Sequence, residues 1–165
     1  MILQTRIFDP VGMTSTRFAD PEVIIKGRAE GYWVNKRGEL INRNATETSS
    51  TLGAGGLLSS AADMAKWDAA LYGTEILSEA SKKVMWETTI LPDGTDTYYG
   101  LGWNVGEDRG LKITSHGGQV AGFVAYFTRF IDHDTSIIVF MNRYRVSSGY
   151  VKNIVMDTFM PSTQE

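Results

Sequence analysis

Cysteine is absent from the 165 residues. That excludes a disulfide framework and any thiolate metal site, and it leaves the redox compartment unread. Histidine is nearly absent too. His116 and His133 are the two present, and they make no local metal spacing, so no metal and no cofactor is expected. Positive charge is in slight deficit, with 16 Lys and Arg against 19 Asp and Glu and a net charge of −3. No basic cluster appears, which argues against nucleic acid as a partner. No apolar run approaches the ~18 residues of a membrane span. The opening Met1-Ile2-Leu3-Gln4-Thr5-Arg6 is neither a signal nor a transit peptide, so the chain carries no address and its localisation is unknown. Repeats and low-complexity tracts are also missing.

What is there suits one domain, able to bury roughly 70% of its unfolded surface. A hydrophobic content of 42% and a charged content of 21% are ordinary for a soluble globular protein. The most informative stretch runs from Leu111 to Phe123. Leu111 and Ile113 alternate with Lys112 and Thr114, the period of a half-buried strand. His116, Gly117 and Gly118 follow where the strand should continue. Glycine weakens a strand interior, so its presence asks for a close approach by a ligand or another backbone. A polar strand end with bare N–H groups suggests a rim that receives a substrate.

Taken in order, Ile2 to Phe8 reads as the last turns of a helix stopped by Asp9-Pro10, with a turn over Val11 to Thr16. Arg28–Val34 and Glu39–Ile41 suggest a small hairpin around Lys36-Arg37-Gly38. Asn42 to Thr51 reads as polar loop, and its Asn44-Ala45-Thr46 matches a glycosylation triplet of a kind common by chance. Gly53 to Gly56 reads as a glycine-rich loop. Its spacing fits neither the dinucleotide nor the P-loop fingerprint, so a tight turn beside a cleft is the better reading. Ser60 with Asp63 resembles a capping box, and Met64, Trp67 and Leu71 mark the buried face of the helix that follows. Ser78 is expected to cap a second helix over Glu79–Glu87, with Val84, Met85 and Trp86 to pack. Leu91-Pro92-Asp93-Gly94 is a turn.

Strands are then expected over Tyr98–Val105, with Tyr99, Leu101, Trp103 and Val105 on one face, and a turn over Gly106–Gly110. Phe123–Phe130 and Ser136–Met141 are the next strands. Ile137 to Phe140 is apolar on both faces and reads as central. The turn between them leaves His133 facing solvent. Val151, Ile154, Val155 and Phe159 predict an amphipathic helix ending before Pro161. Strands in hairpin succession with segregated helices give an α+β fold, an antiparallel β-meander packed by helices. Residues 1–97 are expected to be mostly helix and loop, and 98–160 antiparallel strands plus the C-terminal helix.

Several stretches in this order resemble the C-terminal half of the serine β-lactamase and penicillin-binding protein superfamily, in the branch of class C β-lactamases, DD-peptidases and related esterases. Ile7-Phe8-Asp9-Pro10-Val11-Gly12-Met13-Thr14-Ser15-Thr16 resembles the "PLGM" segment, with Val11 where Leu is usual. Arg28-Ala29-Glu30-Gly31-Tyr32 is similar to "RAxGY". Gly55 to Trp67 resembles the "GGLxST..D" helix start. Tyr99-Gly100-Leu101-Gly102-Trp103, His116-Gly117-Gly118, Gly122-Phe123 and Met141-Asn142 complete a set that covers nearly the whole chain.

The resemblance implies a β-lactamase/transpeptidase-like fold and acyl transfer through an acyl-enzyme, on a small-molecule or peptide-like acyl substrate. In that family a Ser of S-x-x-K attacks a carbonyl, assisted by the Lys, and a Tyr of Y-x-N aids proton transfer. A third motif, K-T-G or H-x-G, lies on a strand beside them. His116-Gly117-Gly118 resembles this third motif. The resemblance implies that His116 faces the cleft as a catalytic residue, and that Gly117 and Gly118 bind substrate by allowing close approach. It also implies that the backbone N–H of Gln119 is one oxyanion-hole donor. Gly117 replaces the Thr hydroxyl that could hold a substrate carboxylate, which leaves esterase-like and peptidase-like substrates as plausible as β-lactams.

One thing is missing from the set. Val23, Trp33, Asp63, Glu79, Ala80, Arg109 and Gly149 stand three residues before the lysines, so S-x-x-K does not occur. Y-x-N, S-x-N and the G-x-S-x-G elbow do not occur either. The expectation is a C-terminal portion of a serine hydrolase, inactive alone and incomplete without an N-terminal half. An uncovered sheet edge would then favour self-association or a second chain supplying the missing half. The rival expectation is a non-catalytic binding module whose strand edge holds an extended peptide.

Overall fold

The computed structural model describes residues 2–20, 22–43 and 52–159. The glycosylation triplet lies outside them. The chain opens with a π-helical stretch, Gln4–Phe8, that runs on into α1, Asp9–Val11. Asp9-Pro10 does not stop the helix as the sequence suggested. Pro10 falls in the first turn of α1, where its missing N–H costs little. The stop comes at Gly12, whose φ of 74° is the left-handed conformation of a helix end.

Two small strand pairs follow. β1, Arg17–Phe18, and β2, Tyr32–Val34, precede β3, Leu40–Asn42, the short helix α2, Leu52–Gly55, and β4, Leu57–Leu58. β1 pairs antiparallel with β4, and β2 with β3. The expected hairpin is present, with shorter arms, because Asn35 Oδ1 accepts from the N–H groups of Arg37 and Glu39 and organises the turn. The glycine-rich loop is corrected, since most of it forms α2.

Two helices build one layer. α3, Ala61–Tyr72, is capped by Ser60, whose hydroxyl accepts from Asp63 N–H at 3.2 Å. α4, Glu79–Met85, is capped by Ser78. Val84 is exposed rather than packed, since α4 turns Met85 and the following Trp86 inward instead. Lys82 of α4 is buried and donates to the carbonyls of Leu71 and Gly73, satisfying the C-terminal end of α3.

The main sheet is a meander in the order β5-β6-β7-β8: β5 Asn104–Asp108, β6 Leu111–Val120, β7 Phe123–Phe130 and β8 Thr135–Met141. Every neighbour is antiparallel. α5, Ser148–Phe159, closes the fold. Helices cover both faces of the sheet. Phe130, Ile137, Val139 and Met156 form a core between sheet and α5, while Leu71, Trp103 and Phe127 form another between sheet and α3–α4.

That burial explains why β8 is apolar on both faces without being central. It is an edge strand among the described residues, and its Phe140 is 43% exposed. Within α5, Met156 is buried and Val151 and Val155 pack, while Ile154 and Phe159 are exposed. The strand expected over Tyr98–Val105 is also corrected. The backbone reverses at Leu101-Gly102, with Gly102 at φ 81°, so Leu101 is 66% exposed while Trp103 is buried. β5 then runs on to Asp108, and the turn into β6 is Arg109-Gly110 alone, both residues left-handed.

Candidate active site

β6 continues as one strand through His116-Gly117-Gly118, but β5 does not follow it. The last β5 pair is Asn104 with Ser115. From His116 to Val120, β6 pairs only with β7. Among the described residues, the other edge of this stretch carries no strand. Its orientation follows from one bond. Asn104 Nδ2 donates to the Ser115 carbonyl at 3.3 Å, so that carbonyl points toward β5. Backbone groups alternate along an antiparallel strand, which places the N–H and C=O of Gly117 and Gln119 on the same, open side.

The reversal that precedes β5 also furnishes the partner of His116. Gly100 N–H donates to the Trp103 carbonyl at 2.8 Å and Leu101 N–H to the Met85 carbonyl at 2.9 Å. A Cβ on Gly100 would stand 2.4 Å from the Met85 oxygen, so only glycine lets this turn sit on the end of α4. Trp103 is buried edge-to-face on Phe127, at 5.4 Å between centroids, and Phe127 is the cross-strand partner of His116. The result is that Tyr99 leans over β6. Its hydroxyl lies 2.9 Å from His116 Nε2, with the rings edge-to-face at 6.0 Å. When Nε2 is unprotonated, the tyrosine O–H donates to it.

His116 is exposed and shares its sheet face with Phe127 and the α3–α4 layer. Gly118 follows on the same face, and a Cβ there would meet nothing within 4 Å. Gly117 points the other way, and a Cβ there would come 2.9 Å from the ring of Tyr126. The two glycines therefore do different jobs. Gly118 leaves open space beside His116, while Gly117 makes room for Tyr126. A threonine side chain at 117 would collide with that ring, which accounts for the missing hydroxyl. Gln119 is exposed at the open edge. His133 lies exposed in the turn between β7 and β8, at the opposite end of β7 from Gln119.

Other segments brace the top of β6. The two-residue turn Ala121-Gly122 joins β6 to β7. Gly122, at φ 80°, stands against Gly31, where a Cβ on Gly122 would fall 2.7 Å from the Gly31 Cα. Gly55 of α2 meets Val120. Tyr32 N–H donates to the Asn142 carbonyl and Asn142 Nδ2 to the Glu30 carbonyl. The Gly31-Tyr32, Gly122-Phe123 and Met141-Asn142 segments thus meet at one corner.

A second junction is made by Asp63, which is 2% exposed. It accepts from Ser15 N–H at 2.7 Å, Thr16 Oγ1 at 2.9 Å and Lys66 Nζ at 3.2 Å. It does not reach back to Ser60 as in a full capping box, because its carboxylate is committed to the Ser15-Thr16 segment. Burial alone would raise its pKa, but those donors outweigh it and hold the carboxyl below the usual carboxylate range. Sequence reasoning missed Arg129. It is 1% exposed, donates to Asp68 at 2.7 Å, and lies between the rings of Tyr72 and Trp86. A lone Arg in an apolar strand was the available signal.

These segments carry a recognisable signature. The family model for Beta-lactamase matches residues 2–155. The chain belongs to the beta-lactamase family. It is 29% identical over 154 residues to penicillin-binding protein 4* of Bacillus subtilis (strain 168), covering 86% of this chain and 34% of that protein. A D-aminopeptidase of Brucella anthropi is 28% identical over 142 residues, covering 86% of this chain and 26% of that enzyme. Among solved structures, the octameric penicillin-binding protein homologue from Pyrococcus abyssi superposes with a TM-score of 0.74 at 25% identity, over 94% of this chain and 37% of that one. The chain therefore spans about a third of these relatives, and its α+β meander is part of the penicillin-binding protein fold. Among the described residues, no helix is long and apolar enough to cross a membrane.

Proposed function

We propose that this beta-lactamase family chain is the C-terminal portion of a serine hydrolase that works by acyl transfer, and that it supplies one wall of the active site. The observation that carries the reading is the open edge of β6 from His116 to Val120, with His116 held by Tyr99. A peptide-like acyl substrate would lie extended along this edge. The Gln119 N–H would polarise the scissile carbonyl as one oxyanion donor, a contribution of roughly 10²–10³ in rate. His116 would stabilise charge and position protons near the bond being broken, with Gly118 leaving room beside it. The nucleophilic Ser-x-x-Lys would come from residues outside this sequence. Partial coverage of the relatives and the absence of that motif from the chain support this division. The names penicillin-binding protein and D-aminopeptidase favour an amide or β-lactam carbonyl as target.

The same open edge supports a second reading, a non-catalytic module that holds an extended peptide by strand addition. Labelling with a fluorescent β-lactam or a phosphonate serine probe separates the two. We expect no labelling of this chain alone and labelling when it is mixed with a partner chain carrying S-x-x-K and Y-x-N from the upstream reading frame. Removing a nucleophile costs on the order of 10⁶ in turnover. Rapid labelling of the pure chain, abolished by substituting one of its own serines, would overturn the proposed division. No labelling of the folded mixture would favour the binding module.

A further inference from the structure

The corner beside the β6–β7 turn carries a feature that the acyl-transfer machinery does not use. Trp33 of β2 and Tyr144 stack with centroids 5.2 Å apart and planes 10° apart. Arg43 lies over Trp33 at 5.2 Å, and Arg145 lies over both rings at 5.1 and 5.8 Å. Both arginines are exposed, and no carboxylate among the described residues pairs with either. Stacking fixes a guanidinium by its flat face and leaves its N–H edge free, the arrangement suited to a bidentate carboxylate. Among the described residues, Arg129 is also stacked on rings but is paired with Asp68, so Arg43 and Arg145 differ in being stacked without a carboxylate.

Their position relates them to the site. The Arg43 carbonyl would stand 3.1 Å from a Cβ on Gly122, and Arg43 N–H donates to the Gly31 carbonyl at 2.8 Å. The platform is thus seated on the turn that ends β6. A substrate strand antiparallel to β6 has its N-terminal end pointing past Val120 toward this turn. At ~3.3 Å per residue, the turn at Ala121-Gly122 lies about 7 Å along the strand from Gln119, and the platform stands beyond it.

We propose that the Trp33–Tyr144 pair with Arg43 and Arg145 is a specificity subsite for a carboxylate on the acyl side of the substrate, about two to three residues from the scissile carbonyl. The inference rests on the open β6 edge being the substrate strand. It supplies an anion-binding element that the glycine at 117 cannot. The preferred substrate is then an acyl-peptide with an anionic N-terminal cap or acidic side chain at that distance.

The test is a titration of the full chain, followed by tryptophan fluorescence, with succinyl-capped and acetyl-capped trialanine amides in both configurations. We expect the succinyl peptide to bind about tenfold more tightly. The preference should vanish in Arg43→Gln/Arg145→Gln while acetyl-peptide binding persists, and Arg43→Lys/Arg145→Lys should recover only part of it. Circular dichroism establishes that each variant is folded. Gln119→Pro, which removes the donor at the open edge, separates the two ideas. A succinyl preference that survives Gln119→Pro supports the platform and sinks the substrate-strand reading. Binding abolished by Gln119→Pro but indifferent to the succinyl group sinks the platform and leaves the strand. Equal affinity for both peptides, or no binding of either to the folded chain, overturns the proposal.

Discussion

The hydrogen bond between Tyr99 and His116 holds the imidazole on which the proposed acyl-transfer reading rests. Tyr99→Phe keeps the ring contact and removes one hydroxyl at an exposed position. We expect thermal stability to change by less than about 0.5 kcal/mol. Acylation of the assembled enzyme by a β-lactam probe should slow about tenfold, on the order of the worth of one hydrogen bond. The glycines give a sharper contrast. Gly117→Ala drives a methyl group against Tyr126 and should cost about 1–3 kcal/mol in urea unfolding. Gly118→Ala meets open space, and should hold or raise stability by about 0.5–1 kcal/mol while impairing probe labelling. Equal losses of stability at the two positions would contradict the opposite orientations of their Cα–H bonds.

At the scale of elements, buried polar groups join segments that are far apart in sequence. Asp63 ties Ser15 and Thr16 to the first turn of α3. Because its pKa is lower in the folded state, its contribution is fully present above the unfolded value, near 4, and disappears as pH falls through the folded value. Asp63→Asn should therefore reduce stability at neutral pH by about 2–3 kcal/mol, and the gap from the unmodified chain should narrow on acidification. Melting curves recorded from pH 7 downward test this, and a gap that stayed constant would exclude the mechanism. Arg129 performs a comparable task between β7 and α3. Arg129→Leu leaves Asp68 short of its cation in a half-buried site and should cost about 3 kcal/mol by denaturant unfolding. The hydroxyl of Ser136, at 2.8 Å from the same carboxylate oxygen, offsets only part of that loss.

For the whole molecule, the decisive feature is the edge of β8, unpaired among the described residues, together with Phe140, Tyr150, Ile154 and Phe159 exposed on β8 and α5. Unpaired strand edges and apolar patches recruit partners. We expect sedimentation velocity at micromolar concentration to show concentration-dependent association of this chain, relieved when a chain supplying the remaining part of the fold is added. A sharp, concentration-independent monomer would count against this.

Local chemistry was enough to determine much of this protein. Alternating residues marked the start of β6, a run apolar on both faces marked β8, and serines at helix starts marked α3 and α4, because these patterns act over a few residues. The ordered motifs were enough to indicate the family. What tertiary structure decided was which groups meet. Tyr99 reaches His116 only because Gly102 reverses a stretch whose alternation reads as a straight strand. Arg129 and Lys82 look like surface residues until Asp68 and the end of α3 are placed beside them. β8 reads as central because helices bury both its faces, yet burial of faces says nothing about pairing of edges. Hydrophobic period reports the faces of an element, whereas edges and the partners of buried charges are set by contacts distant in sequence.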